Sequence, residues 1–251
     1  MKKFLFTDLD DTLFQSDRKL SPQESWTPLA YLSDGNPISY ANPAQRSVLE
    51  MFQREMTIIP VTARNIDAFR RVDIRFTAEA ILNYGGIILD ADGSPDAEWL
   101  ERGREAAIHT EPLLNELLIM IENECLKSGL DLKVRIIRDA DIPFYIVAKS
   151  RSGNTGHIAT ATAFVRSLLA EHSFCRDIAV HENHNNLALI PKWLDKRHAV
   201  EYLCGKLAAE HGDIVTFGMG DSLIDLNFMR SCHYMIVPNG SQISSSRMGG
   251  L

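Results

Sequence analysis

Cysteine is scarce in this chain. Its 251 residues hold four, at Cys125, Cys175, Cys204 and Cys232, and no two form a Cys-x-x-Cys pair. That scatter excludes a disulfide framework or a zinc site and fits reduced thiols, so a cytoplasmic location is expected. No apolar run approaches the ~18 residues of a membrane span. The start, Met-Lys-Lys-Phe-Leu-Phe, is basic and then apolar, but the run breaks at Asp8, too early for a signal peptide. There is no long basic stretch, and the net charge is -7, so a nucleic-acid partner is not expected. Internal repeats and low-complexity blocks are also missing.

What is there begins with Phe4-Leu-Phe-Thr-Asp8-Leu-Asp10-Asp11-Thr12. The apolar run reads as a buried parallel strand, and in open α/β sheets ligands bind at the carboxyl ends of such strands. Carboxylates crowded there repel one another and are costly to desolvate unless a cation or a reaction needs them. One Asp would suit an ordinary turn. Asp-x-Asp-x-Thr directly after the first strand points instead to a metal-dependent catalytic site.

Further along, apolar runs alternate with helical patterns. Pro43 to Phe52 reads as a helix capped by Asn42, and Thr57 to Val61 as a second buried strand ending in Thr62-Ala-Arg64. Asn65 to Val72 reads as a helix and Ala80 to Asn83 as a third strand. This order predicts a doubly wound, Rossmann-like parallel sheet. Residues 15–43, rich in Ser, Pro, Asn and Asp, read as a long irregular segment with a hairpin near Asp34-Gly35-Asn36-Pro37, placed to cover the site.

The pattern changes at Tyr84-Gly85-Gly86, where the glycines could form a hinge. An amphipathic helix over Pro112–Lys127, strands at Leu132–Arg138 and Phe144–Lys149, a helix over Ala159–His172 and a hairpin spanning Ile178–Ile190 read as an inserted α+β module. The parallel pattern resumes with a helix from Arg197 to Glu210, a strand at Ile214–Phe217 followed by Gly-Met-Gly220-Asp221-Ser222, a helix over Leu223–Met229 and a strand at Tyr234–Val237. The expected domains are a core at 1–84 and 188–251 and a cap at 85–187.

Asp8, Asp10, Thr62, Lys196, Asp221 and Asp225 thus gather at one predicted sheet edge. The set offers a nucleophile, a proton donor, hard oxygens for magnesium, and a cation and hydroxyl for phosphoryl oxygens. In order and type, Asp8-Leu-Asp10-Asp-Thr12, Thr62, Lys196 and Gly220-Asp221-Ser-Leu-Ile-Asp225 resemble the four motifs of the haloacid dehalogenase-like phosphatase superfamily. The place of the insert resembles the Cof-like and sucrose-phosphatase-like branch, whose α/β cap exits through a segment like Leu187–Lys196.

The resemblance implies an Mg2+-dependent hydrolase of a small phosphomonoester, plausibly a sugar phosphate. Asp8 would be the nucleophile and Asp10 the general acid and base. Thr62 and Lys196 would hold phosphoryl oxygens. Asp8, Asp10 (through its carbonyl) and Asp221 would bind the metal, and Asp225 would steady its waters or Lys196. Asn239 would orient Lys196 or the nucleophile loop. A phosphomutase and a non-catalytic binding protein are the alternatives. Arg64 lies close enough in sequence to Thr62 to contact substrate. Arg135, Arg138 and Lys149 are either a solvated strand face or contacts to an anionic substrate, and His184 is either a polar hairpin tip or a substrate contact. The implied partner is a small phosphate ester, with no nucleic acid and no membrane. Two departures from the family pattern are the long 15–43 segment and Tyr84-Gly85 in place of Asn-Gly.

Overall fold

The computed structural model describes residues 1–23, 25–172, 176–183 and 185–246. The chain divides into two compact units, Met1–Leu100 with Asp195–Leu251, and Glu101–Leu194.

The first unit is built on β1 (Lys2–Thr7). Two short elements follow: β2 (Gln15–Ser16), and a hairpin of β3 (Thr27–Tyr31) and β4 (Pro37–Ala41). Next come α1 (Pro43–Glu55), β5 (Thr57–Pro60), the single turn α2 (Ile66–Phe69), and the hairpin β6 (Ala80–Leu82) and β7 (Ile87–Leu89). α3 (Ala97–Lys127) leads into the second unit, with β8 (Leu132–Asp139), β9 (Ile142–Ser150), α4 (Thr155–Glu171), β10 (Ile178–Asn183) and β11 (Asn186–Pro191). The chain returns through α5 (Lys196–His211), β12 (Ile214–Met219), α6 (Leu226–Met229), β13 (Tyr234–Ile236) and α7 (Gln242–Ser245).

The main sheet has the order β13-β12-β1-β5, and every pair is parallel. A parallel bridge between Val61 and Ile81 extends it toward β6. Side chains of β1 alternate between two helical layers, as a strand buried on both faces requires. Phe4 and Phe6 pack with Ala199, Val200 and Leu203 of α5 and with Phe228 and Met229 of α6. Leu5 points the other way, into a cluster with Leu49 and Phe52 of α1. α1 starts with a reciprocal cap: Gln45 N–H donates to Asn42 Oδ1 at 2.8 Å, and Asn42 N–H to Gln45 Oε1 at 3.0 Å. Pro43 occupies the first turn, where no N–H is needed.

Residues 15–41 are more regular than their composition suggests. β2, β4 and β3 form a three-stranded antiparallel sheet. Leu29, Ala30 and Ala41 bury themselves against Leu9, Leu13 and Phe14, which gives the segment an apolar anchor. Backbone bonds from Tyr31 to Arg71 and from Asp73 to Leu29 dock it on the segment after α2.

In the second unit, the antiparallel sheet has the order β10-β11-β9-β8. One face packs on Leu114, Leu117 and Ile121 of α3 and on Ile158, Ala161 and Val165 of α4. Two boundaries differ from the sequence reading of 84/85 and 187/188. β7 pairs with β6, and β11 pairs with β9 and β10, so each stays with its own sheet. α3 also starts fifteen residues before Pro112, which lies inside it. Among the described residues, no helix is long and apolar enough to cross a membrane.

Candidate active site

Asp8 is the first residue beyond β1. Its N–H donates to Met219 O at 2.9 Å, so the nucleophile candidate and the β12 end are tied directly. Backbone bonds from Thr12, Leu13 and Phe14 to Leu9 O then form one tight turn, with Asp11 at φ 63°. This turn buries Leu9 and Leu13 while leaving the Asp10 side chain half exposed.

The centre of the site is Lys196, at the start of α5. Its Nζ donates to Asp8 Oδ1 and to Asp225 Oδ1, each at 2.7 Å, and its side chain is 3% exposed. Two glycines allow this packing. Gly85 has φ +97°, and a Cβ there would lie 2.7 Å from Asp195 O and 3.2 Å from Lys196 Cα. A Cβ on Gly220 would lie 2.5 Å from Asp225 Cβ. Both positions therefore require glycine for close approach.

Asp225 is fully buried and accepts three hydrogen bonds: one from Lys196 on Oδ1, and two from Ser222 N and Oγ on Oδ2, at 3.1 and 2.5 Å. Asp221 accepts from Thr12 Oγ1 at 3.2 Å. Carboxylate oxygens of Asp8, Asp221 and Asp225 lie within 4.8 Å of one another. Burial pushes the Asp8 carboxyl well above the usual range, and Asp225 adds to this against the opposing pull of Lys196. Asp221 is pushed up to about 6 by burial and by Asp225 and Asp11. Burial alone would lower Lys196, but Asp225 and Asp8 outweigh it and raise it.

Three crowded carboxylates with one ammonium leave an excess of negative charge. A hard divalent cation on Asp8 and Asp221 would neutralise it, so the donor set fits magnesium. Asp225 holds Lys196 and still lies within the same group of carboxylate oxygens. The Asp10 carboxylate is outside this cluster.

Thr62 is buried at the β5 end, where its Oγ1 accepts from Arg64 N at 3.1 Å. Arg64, read from the sequence as a substrate contact, instead holds Asp10: Nε donates to Oδ2 at 2.8 Å and Nη2 to Oδ1 at 2.7 Å. Its guanidinium also meets Ala68 O and Ser39 Oγ, each at 3.4 Å, and sits 5.2 Å from the Phe14 ring centroid. Asn239 is exposed and bonds within its own turn, so it does not orient Lys196.

Arg138 and Lys149 lie in the second unit. Arg138 is paired with Glu111 at 2.6 Å, and Lys149 is exposed on β9. His184 lies outside the described residues. Tyr84 escaped the sequence reading as a site residue. It is buried at φ 57°, and its hydroxyl is pushed up to about 12 by burial, within the field of Lys196, Asp8, Asp225 and Asp10. Its sequence signals were the break in pattern at Tyr84-Gly85-Gly86 and the departure from Asn-Gly there.

The parallel core with its α+β insertion is a fold that recurs among solved structures. Particular solved structures carry it. The C-terminal domain of trehalose-6-phosphate phosphatase from C. albicans matches at TM-score 0.57 and 13% identity, over 92% of this chain and 73% of that one. A trehalose-6-phosphate phosphatase related protein matches at 0.51 and 15%, over 93% and 85%. Sucrose-phosphatase from Synechocystis, solved with sucrose and phosphate, matches at 0.50 and 17%, over 97% and 86%. No protein-family model and no curated protein matches the sequence.

Proposed function

We propose that the protein is a magnesium-dependent phosphomonoester hydrolase acting through an aspartyl-phosphate on Asp8. The observation that carries this is Lys196 bridging Asp8 and Asp225, with Asp221 alongside. Asp8 attacks phosphorus, and the bond from phosphorus to the ester oxygen breaks. Asp10 gives its proton to the departing alcohol, then takes one from the water that cleaves the acyl phosphate and releases Asp8. Lys196 and the Thr62 hydroxyl hold phosphoryl oxygens. Asp8, Asp221 and the Asp10 carbonyl would hold magnesium, which would supply charge neutralisation for the phosphoryl group.

The second unit acts as the substrate-reading cap, and the substrate is a small phosphorylated metabolite such as a sugar phosphate. Support comes from the strand-end chemistry and from the sugar-phosphate phosphatases that share the fold. The test is phosphate release from a panel of phosphorylated metabolites with and without magnesium. The Asp8→Asn protein should fold, give no turnover above background and form no acid-stable, hydroxylamine-labile phosphoprotein. Near-normal turnover in Asp8→Asn would remove the covalent mechanism.

A further inference from the structure

The antiparallel sheet of residues 15–41 reaches the Arg64–Asp10 pair through a hydroxyl. β4 is the middle strand of that sheet. Along it, Ser39 and Ala41 are buried, while Ile38 and Tyr40 are partly exposed. Strand alternation puts Ser39 and Ala41 on one face. Ala41 packs there with Leu9, Leu13, Phe14, Leu29 and Ala30, so the face is apolar. A hydroxyl shut away from water on such a face is costly unless it is bonded. Ser39 Oγ is bonded: it accepts from Arg64 Nη2 at 3.4 Å.

The backbone of Arg64 is fixed on both sides. Its N–H donates to Thr62 Oγ1 at 3.1 Å, and its carbonyl accepts from Asn83 N at 3.0 Å. Its guanidinium gives two N–H groups to Asp10, one to Ala68 O and one to Ser39 Oγ. A guanidinium is a rigid planar fork, so its two bonds to Asp10 point wherever its plane is turned. Ala68 and Ser39 meet different nitrogens, Nη1 and Nη2, and together they set that plane. The bond to Ser39 is longer than those to Asp10, which suits orienting rather than anchoring. The sheet that carries Ser39 is itself tied down. Tyr31 N donates to Arg71 O at 3.1 Å, and Asp73 N to Leu29 O at 2.8 Å.

We propose that Ser39 is a positioning residue for the reaction. Its hydroxyl sets the turn of the Arg64 plane, and through it the direction in which Asp10 presents its carboxyl group to the departing alcohol. The proposal rests on the hydrolase reading and deepens it by giving the 15–41 sheet a task, that of holding the acid. All of the groups involved belong to the first unit.

The experiment compares Ser39→Ala, which removes the hydroxyl and keeps the small side chain, with Ser39→Thr, which keeps the hydroxyl. Values of kcat and KM are measured with magnesium on ethyl phosphate, phenyl phosphate and p-nitrophenyl phosphate. Ser39→Ala should lower kcat on ethyl phosphate about threefold to tenfold, a small part of the roughly 100- to 10,000-fold that general acid catalysis supplies. KM should hold. The loss should be smaller on phenyl phosphate and smallest on p-nitrophenyl phosphate, whose leaving group needs no proton. Ser39→Thr should stay close to wild type. In an Arg64→Ala background, Ser39→Ala should cost nothing further, because residues that act as one unit are not additive. A second readout needs no turnover. In protein with isotope-labelled arginine, the Arg64 Nη signals, assigned by their loss in Arg64→Lys, should show faster guanidinium rotation in Ser39→Ala and the wild-type rate in Ser39→Thr.

A loss on p-nitrophenyl phosphate equal to that on ethyl phosphate would overturn the proposal. So would a full-sized loss in the Arg64→Ala background. Arg64 signals unchanged in Ser39→Ala would overturn it whatever the turnover. If wild-type protein releases no phosphate from any ester but those signals change as expected, the hydrolase reading fails and the Ser39–Arg64 hold on Asp10 stands.

Discussion

Arg64 and Asp10, far apart in sequence, share two parallel hydrogen bonds of 2.7 and 2.8 Å that engage both carboxylate oxygens. This fork is the strong geometry for a guanidinium and a carboxylate. The Arg64 side chain is largely buried between the Phe14 ring, Ser39 and the Ala68 carbonyl, so it presents a fixed seat to a carboxylate that is otherwise half exposed. Each Asp10 oxygen accepts one of these bonds, so the fork fixes the orientation of the carboxyl group while leaving it a free lone pair on either oxygen.

If Arg64 positions the acid, its removal should matter most where the acid matters most. Arg64→Ala is expected to lower kcat on alkyl phosphates by about tenfold or more, part of the 100- to 10,000-fold that general acid catalysis typically supplies. Hydrolysis of p-nitrophenyl phosphate, whose leaving group needs no proton, should fall much less. A plot of log kcat against leaving-group pKa for wild type and variant checks this. Equal losses on both substrate types would return Arg64 to a simple substrate contact.

Among the described residues, Lys196 is the cation that the buried Asp8 and Asp225 both contact. Lys196→Met should leave two buried carboxylates uncompensated and destabilise the protein by about 3 kcal/mol, near the low end for breaking a buried ion pair from one side. Urea denaturation measures the loss. Changing Asp225 to Asn in the same protein should recover part of it.

If the carboxylate cluster holds magnesium as proposed, magnesium should raise the melting temperature of the wild-type protein, because a ligand of the folded state alone stabilises it. Asp221→Asn should abolish most of that shift, since Asp221 accepts one hydrogen bond where Asp225 accepts three and so has more of its coordinating capacity open. Excess chelator should remove activity in the wild type. A melting shift that survives in Asp221→Asn would move the metal elsewhere.

Asp96 offers a pH test away from the site. Burial works to raise its pKa, but Lys206 at 2.6 Å, the Trp99 N–H and the Tyr202 hydroxyl outweigh it, and the folded value is lowered. A carboxylate lowered on folding contributes stability that is present above its unfolded value, about 3.9, and lost as pH falls through the folded one. Asp96→Asn should therefore lose stability at pH 7 relative to wild type, with the gap closing below about pH 4. Denaturation midpoints from pH 3 to 7 give the comparison.

Much of the site was legible because each chemical residue follows an apolar run. Asp8, Thr62 and Asp221 each sit just past a buried strand, and parallel pairing of β12, β1 and β5 brings those ends together. Lys196 was legible from its place after the insertion. The Arg64–Asp10 pair was not, because pairing between side chains of two loops leaves no periodic trace. The hairpin at Asp34-Gly35-Asn36-Pro37 was legible from its turn residues, but the rest of the 15–41 sheet was missed for a related reason: its strands are short, contain Pro28 and Pro37, and draw their apolar anchor from Leu9, Leu13 and Phe14 rather than from a run of their own. Pro112 misled in the opposite direction. Proline is favoured in a first turn and costly inside a helix, yet α3 carries it midway, and nothing in the structure explains how that cost is offset.

The places where the chain leaves and rejoins the first unit are stitched to each other. Trp99 Nε1 donates to Gly85 O at 2.9 Å, Gly85 presses on Asp195, the rings of Trp99 and Tyr202 lie 4.9 Å apart, and Asp96 binds both Tyr202 and Lys206. To the first unit, the 101–194 module is then one long excursion whose two ends are already pinned. Closing such a loop grows only slowly more costly with its length. Modules of quite different size could be exchanged at this junction without disturbing the strand-end cluster around Lys196, which makes the seam a natural splice point.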